Sequence, residues 1–189
     1  MKIENYLVLD EERNAMDSLI QSLTFLSQVE QNRFYLKWFI LAFHGALYAF
    51  MLLALQKIDP EQIYRAHPKH TSKKASKAKS FDPFDRKFID FLVTYRYLKN
   101  SKRMEGNSFS ASKLHNEAMK ELNNKLRNQM IHFKPMVWAS EPWYPANVCK
   151  PLLILLEFCI RNTKLSEEQR KTGFAYIEGI KTLLTRHSD

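Results

Sequence analysis

The sequence predicts an all-α fold, and three observations carry that prediction. Glycine, which weakens helices, occurs four times in 189 residues. Hydrophobic residues make up 45% of the chain, yet they rarely alternate with polar ones as a half-buried strand requires. They recur instead at three- and four-residue steps, the period of a helix with one buried face. The length suits one domain with a substantial core better than two, so a single domain over residues 1–189 is expected, a bundle of about six helices with two long antiparallel pairs.

Asp10 can cap a first helix whose apolar face is Met16, Leu19, Ile20, Leu23 and Leu26 and which ends within residues 27–32. A second helix runs from about Arg33 to Lys57. Its stretch from Trp38 to Gln56 carries no formal charge across nineteen residues, enough length to cross a bilayer. The favoured reading is a buried central helix. Ala42, Gly45, Ala46 and Ala49 form a stripe that lets a neighbour approach, while His44 and Tyr48 put polar atoms mid-run, where lipid tolerates them poorly. No membrane partner is therefore expected.

Residues 65–80 read RAHPKHTSKKASKAKS, with six Lys and Arg and no acid. No core can be built from that composition, so the stretch is a flexible basic loop, either merely solvated or touching nucleic acid through Lys73, Lys74 and Lys77. Asp82 or Pro83 is expected to open a third helix with Phe84, Phe88, Phe91, Leu92, Tyr95 and Leu98 on one face. After a break at Gly106, Ser110 or Ser112 begins a fourth helix that reaches about Phe133, before Pro135 stops it. A proline- and aromatic-rich connector follows. A fifth, strongly apolar helix occupies about Ala146 to Arg161, or starts at Pro151, and Ser166 with Gln169 has the capping-box spacing that opens a sixth, ending near His187.

The charge narrows the class of partner. Twenty-nine Lys and Arg against twenty Asp and Glu give a net charge of +9, the sign expected of a protein that meets polyanions. Cys149 and Cys159 are ten residues apart on one predicted helix, about 15 Å along its axis and beyond disulfide reach. A reducing cytoplasm fits, and no signal peptide precedes the first apolar run.

The fourth helix contains LRNQMIHF, Leu126 to Phe133. Met119, Leu122, Leu126, Met130 and Phe133 collect on its core side. With Arg127 set at zero, Lys120, Asn124, Asn128 and His132 fall at roughly 20°, 60°, 100° and 140°, a broad polar face with Asn128 and His132 one turn apart. A neutral imidazole can take or give a proton near pH 7, a guanidinium can clamp phosphate oxygens as charge builds on them, and an asparagine can orient either.

The tools of other reactions are missing: no phosphate-cradling glycine loop, no serine nucleophile elbow and no Cys/His set at zinc spacing. What survives is metal-free phosphoryl chemistry on RNA, whose 2′-hydroxyl is an internal nucleophile. Such cleavage wants a base and an acid, which a twofold dimer would supply from two copies of one face. An ordinary solvated helix face is the competing reading. Arg65 and His70 share the spacing across Pro68, where no regular helix can hold both.

Arg127-Asn128, three residues, then His132, late in an all-helical chain, resembles the signature of the HEPN superfamily (higher eukaryotes and prokaryotes nucleotide-binding). The central run WFILAFHGALYAFMLLAL and the phrase LRNQMIHFKPMVW are similar to a bacterial branch of that superfamily, and the likeness covers roughly Arg33 to Cys159. The resemblance implies a four-helix core with extra helices and a homodimer facing motif to motif. It also implies, in many members, a metal-independent endoribonuclease acting as a toxin or in defence against phage, without a cofactor.

By that likeness Arg127 and His132 are catalytic and Asn128 orients them. Other members keep the fold and only bind RNA or a nucleotide. Members controlled by a nucleotidyltransferase antitoxin can carry a tyrosine two residues after the histidine. Here that position is Lys134, which puts that form of control in doubt while leaving room for another regulatory protein. Lys120, Asn124 and Lys134 would flank the motif and hold RNA, unless they are only solvated. Trp138, Trp143 and Tyr144 could stack unpaired bases or pack on the bundle. His44 is either a core histidine or a support behind the motif.

Overall fold

A side-chain cap starts the first helix where the sequence places it. In the computed structural model, which describes residues 10–65, 86–131, 141 and 143–186, Asp10 caps α1 (Glu11–Ser27) by accepting from the Arg13 backbone N–H at 2.7 Å. Helix α2 is Tyr35–Ile58 and α3 is Phe91–Leu98. Helix α4 is composite: an α-helical part Lys113–Lys120, a π-helical segment Glu121–Arg127 and a last turn Asn128–Ile131. Helix α5 joins Tyr144–Cys149 through a 3-10 turn, Lys150–Leu152, to Leu153–Arg161, and α6 is Glu167–Arg186. Six helices, a separate 3-10 turn at Pro60–Ile63 and no strand are found among the described residues, an all-α bundle.

The bundle forms around α2. Helix α1 lies along it, α3, α5 and the middle of α4 pack against it, and α6 closes on α1 and α5. Phe39, Phe43, Leu47, Phe50 and Met51 of α2 are fully buried. That accounts for the uncharged stretch from Trp38 to Gln56: a helix enclosed by its neighbours needs no polar face. It is also long and apolar enough to cross a membrane by length and composition, but 56% of its most apolar window is buried inside the protein. Trp38, at 48% exposure, carries Lys37 over its ring.

Helix α3 starts later than its hydrophobic pattern suggests. Phe88 belongs to an extended stretch, bridged to Tyr64, and Phe91 is the first helical residue. Arg65 N donates to Lys87 O at 2.8 Å and Ile89 N to Ile63 O at 2.9 Å. These bonds satisfy main-chain groups that a helix would otherwise have paired internally. Side chains reinforce the junction: Tyr64 stacks on Phe88, Arg86 lies over Tyr64 and pairs with Glu61, and Arg65 pairs with Asp90. Phe84 and the basic residues Lys73, Lys74 and Lys77 lie outside the described residues.

Ser166 and Gln169 form the expected capping box, with Gln169 N donating to Ser166 Oγ at 3.2 Å and Ser166 N to Gln169 Oε1 at 2.8 Å. Ser166→Ala is expected to lower stability by about 1 kcal/mol. A urea midpoint unchanged from wild type would refute that. Cys149 and Cys159 are free and buried, and burial pushes both thiols up, away from reactivity.

Candidate functional site

Ser112 starts α4 by accepting from the His115 N–H, while His115 Nδ1 accepts from the Ser112 N–H at 3.0 Å. Met119, Leu122 and Leu126 then anchor the helix in the core. Between Glu121 and Arg127 the backbone widens to π geometry, where each turn takes more residues than in an α-helix. The regular 100° step therefore fails in the segment that carries the motif arginine. Single π turns of this kind occur often at functional sites.

Arg127 and Asn128 emerge into a cleft of about 610 Å³ between α2, α3 and α4, lined also by His44, Tyr48, Asp90, Phe91, Asn123 and Ile131. Arg127 Nη1 donates to Asn128 Oδ1 at 2.9 Å, and Asn128 Nδ2 donates to the Asn124 carbonyl at 3.3 Å. Among the described residues no carboxylate pairs with Arg127. Asp90, the acid of the cleft, is engaged by Arg65, and the Tyr48 hydroxyl donates to the Ile89 carbonyl. The guanidinium is thus held by a neutral amide and left able to meet an anion.

His44 enters the same cleft from α2. Its ring stacks on Phe91 with centroids 4.1 Å apart, and Nε2 lies 3.2 Å from Asn123 Oδ1. Because Asn123 Nδ2 donates to Asn124 Oδ1 at 2.8 Å, its oxygen is the atom turned to the imidazole, so Nε2 carries the hydrogen. Burial drives the His44 pKa down to about 4; the Asn123 hydrogen bond opposes the shift and the Arg127 charge adds to it. A ring that stays neutral near pH 7 ties α2 to the segment of α4 that carries Arg127. It is at once a part-buried, hydrogen-bonded histidine and a neighbour of the motif, so both sequence readings of His44 stand.

Asn123 is the residue that sequence reasoning missed. By the regular helical step it sits about 40° from Arg127 on the side toward the apolar stripe, opposite Asn128. An asparagine at that border, with core residues on one side, was the available signal.

The other predicted residues divide. Asn124 is exposed and does not line the cleft, though its carbonyl and side chain hold Asn128 and Asn123. Lys120 is exposed one helical stretch away. His132, Lys134 and Trp138 lie outside the described residues. Trp143 packs on the core and the Tyr144 hydroxyl donates to Glu121, so both are engaged with the bundle. Among the described residues no group of three or more His, Cys, Asp or Glu could hold a metal ion. Comparison with protein-family models finds none that matches the chain, and comparisons with curated proteins and with solved structures likewise find no match.

Proposed function

We propose that this chain is a metal-independent endoribonuclease of the HEPN type, active in the cytoplasm as a homodimer and serving as a toxin or phage-defence effector. The observation that supports this most is Arg127: a guanidinium without a carboxylate partner among the described residues, aimed by Asn128 into a cleft, five residues before His132. In the reaction, the imidazole of His132 takes the proton of an RNA 2′-hydroxyl as the 2′-oxygen bonds to phosphorus. The bond to the 5′-oxygen breaks, and a second copy's His132 in its protonated form gives that oxygen a proton. Arg127 neutralises the charge that grows on the non-bridging oxygens. A regulatory partner such as an antitoxin would restrain the activity.

The deciding assay incubates purified protein with total cellular RNA in excess metal chelator and maps the new ends. Cyclic 2′,3′-phosphates and 5′-hydroxyls are expected, produced by the wild type and lost in both Arg127→Ala and His132→Ala. Equal cleavage by all three proteins would refute the assignment. Retention of RNA without cleavage, unaffected by loss of His132, would make the chain a binding module instead.

A further inference from the structure

Helices α3 and α4 form a seam that leads away from the cleft. Phe91, at the start of α3, lines the cleft with Arg127, whereas Lys99, just past the end of α3, reaches Asn116 in the first part of α4. The two elements therefore run in opposite directions. Lys99 is fixed by neutral groups: its ammonium lies 4.3 Å from the centre of the Tyr95 ring and donates to Asn116 Oδ1 at 2.8 Å. The Tyr95 hydroxyl donates to the same oxygen at 3.2 Å, and Asn116 Nδ2 donates to the Ser112 carbonyl at 2.8 Å.

Lys120 follows Asn116 by one turn, which puts it on the same side of α4. The acids on that helix are already engaged, Glu117 by Lys113 and Glu121 by Lys125 and Tyr144. Neither Lys99 nor Lys120 meets a carboxylate among the described residues. Burial, and secondarily the charge of Lys120, pushes the Lys99 amine below its ordinary range. Lys99, fixed on Asn116, and Lys120, one turn beyond Asn116 on the same side of α4, thus put two cations and no acid on one face, where an anion is favoured.

We infer that Lys99 and Lys120 form a phosphate-binding position separate from the Arg127 cleft, which holds a backbone phosphate of single-stranded RNA lying along the α3–α4 seam. The identity of the polyanion rests on the ribonuclease reading of the cleft. Lys120 and Arg127 bracket the π segment of α4, which is more tightly stacked than an α-helix, so they lie less than about 10 Å apart along the axis and one short strand reaches both. Asn124 lies in the interval. An extended single strand suits the seam because the contacts are to phosphates and ask nothing of base identity.

Binding is measured by fluorescence anisotropy with a short labelled RNA whose 2′-positions are methylated, so that it cannot be cleaved, across a series of salt concentrations. Lys99→Gln and Lys120→Gln are each expected to weaken binding about fivefold and to reduce the salt slope by up to about 0.7. Because both amines hold one phosphate, the double variant should lose less than the product of the single losses. Lys171→Gln, on α6 and paired with Glu167, should bind as wild type does.

Wild-type affinity and slope in the two variants would overturn the inference, as would strictly multiplicative losses or no RNA binding by the wild type. The two proposals separate cleanly. RNA binding that depends on Lys99 and Lys120 without any cleavage keeps this site and removes the nuclease. Cleavage lost in Arg127→Ala, with Lys99→Gln and Lys120→Gln binding as wild type does, keeps the nuclease and removes this site.

Discussion

Arg127→Ala should lower single-turnover RNA cleavage by roughly 10²- to 10³-fold, the usual cost of deleting a preorganised group that meets charge developing in the transition state. The loss should fall mainly on kcat, because negative charge on the phosphate oxygens is greater in the transition state than in the bound substrate. Stability should change little. Arg127 is half-buried at the cleft wall and loses one side-chain hydrogen bond, to Asn128, so the urea midpoint should shift by no more than about 1 kcal/mol equivalent. Arg127→Lys keeps the charge but not the planar fork and should fall between wild type and alanine. Asn128→Ala, which removes only the group that aims the guanidinium, should cost about tenfold. A folded Arg127→Ala protein that cleaves as fast as wild type would remove Arg127 from the chemistry.

The parts of this structure legible in the sequence are those set by local physics. Asp10 and the Ser166–Gln169 pair mark helix starts because capping satisfies backbone donors within a few residues. The start of α3 was not legible. Phe84 and Phe88 continue the periodicity of Phe91, Tyr95 and Leu98, but residues 87–89 pair with 63–65 across an intervening stretch, and no helical pattern reveals that partner. Pro151 was read as an alternative start of the fifth helix; α5 instead begins at Tyr144 and passes through a 3-10 turn at Lys150–Leu152, a form that the proline alone does not specify.

The site divides in the same way. Arg127 and Asn128 were legible as a motif, and His44 as a polar group in an apolar run. Asn123 was not, because its partner is 79 residues away on another helix and because the π segment displaces the face that regular geometry assigns.

His44 should make the protein acid-sensitive over a defined window. Its ordinary pKa is 6.5 and burial brings it to about 4 in the folded chain, so the unfolded state takes up the proton first as pH falls. The sign follows: stability is unaffected by this group above about pH 6.5, declines as pH drops toward about 4, and levels below that. The span corresponds to roughly 3 kcal/mol at 1.36 kcal/mol per pKa unit, to order of magnitude. Carboxylates titrate at the lower end of the same range, so the informative quantity is a difference. His44→Gln can still donate to Asn123 and cannot take up a proton. Its stability relative to wild type should therefore improve steadily from pH 7 to pH 4.5, read as the change in urea midpoint at each pH. Parallel pH profiles for the two proteins would show that the imidazole is not held neutral. Cleavage adds a second reading: if His44 and Asn123 support the Arg127 wall of the cleft, Asn123→Ala should lower kcat with little change in KM, whereas wild-type kcat in both Asn123→Ala and His44→Gln would leave the pair a structural contact alone.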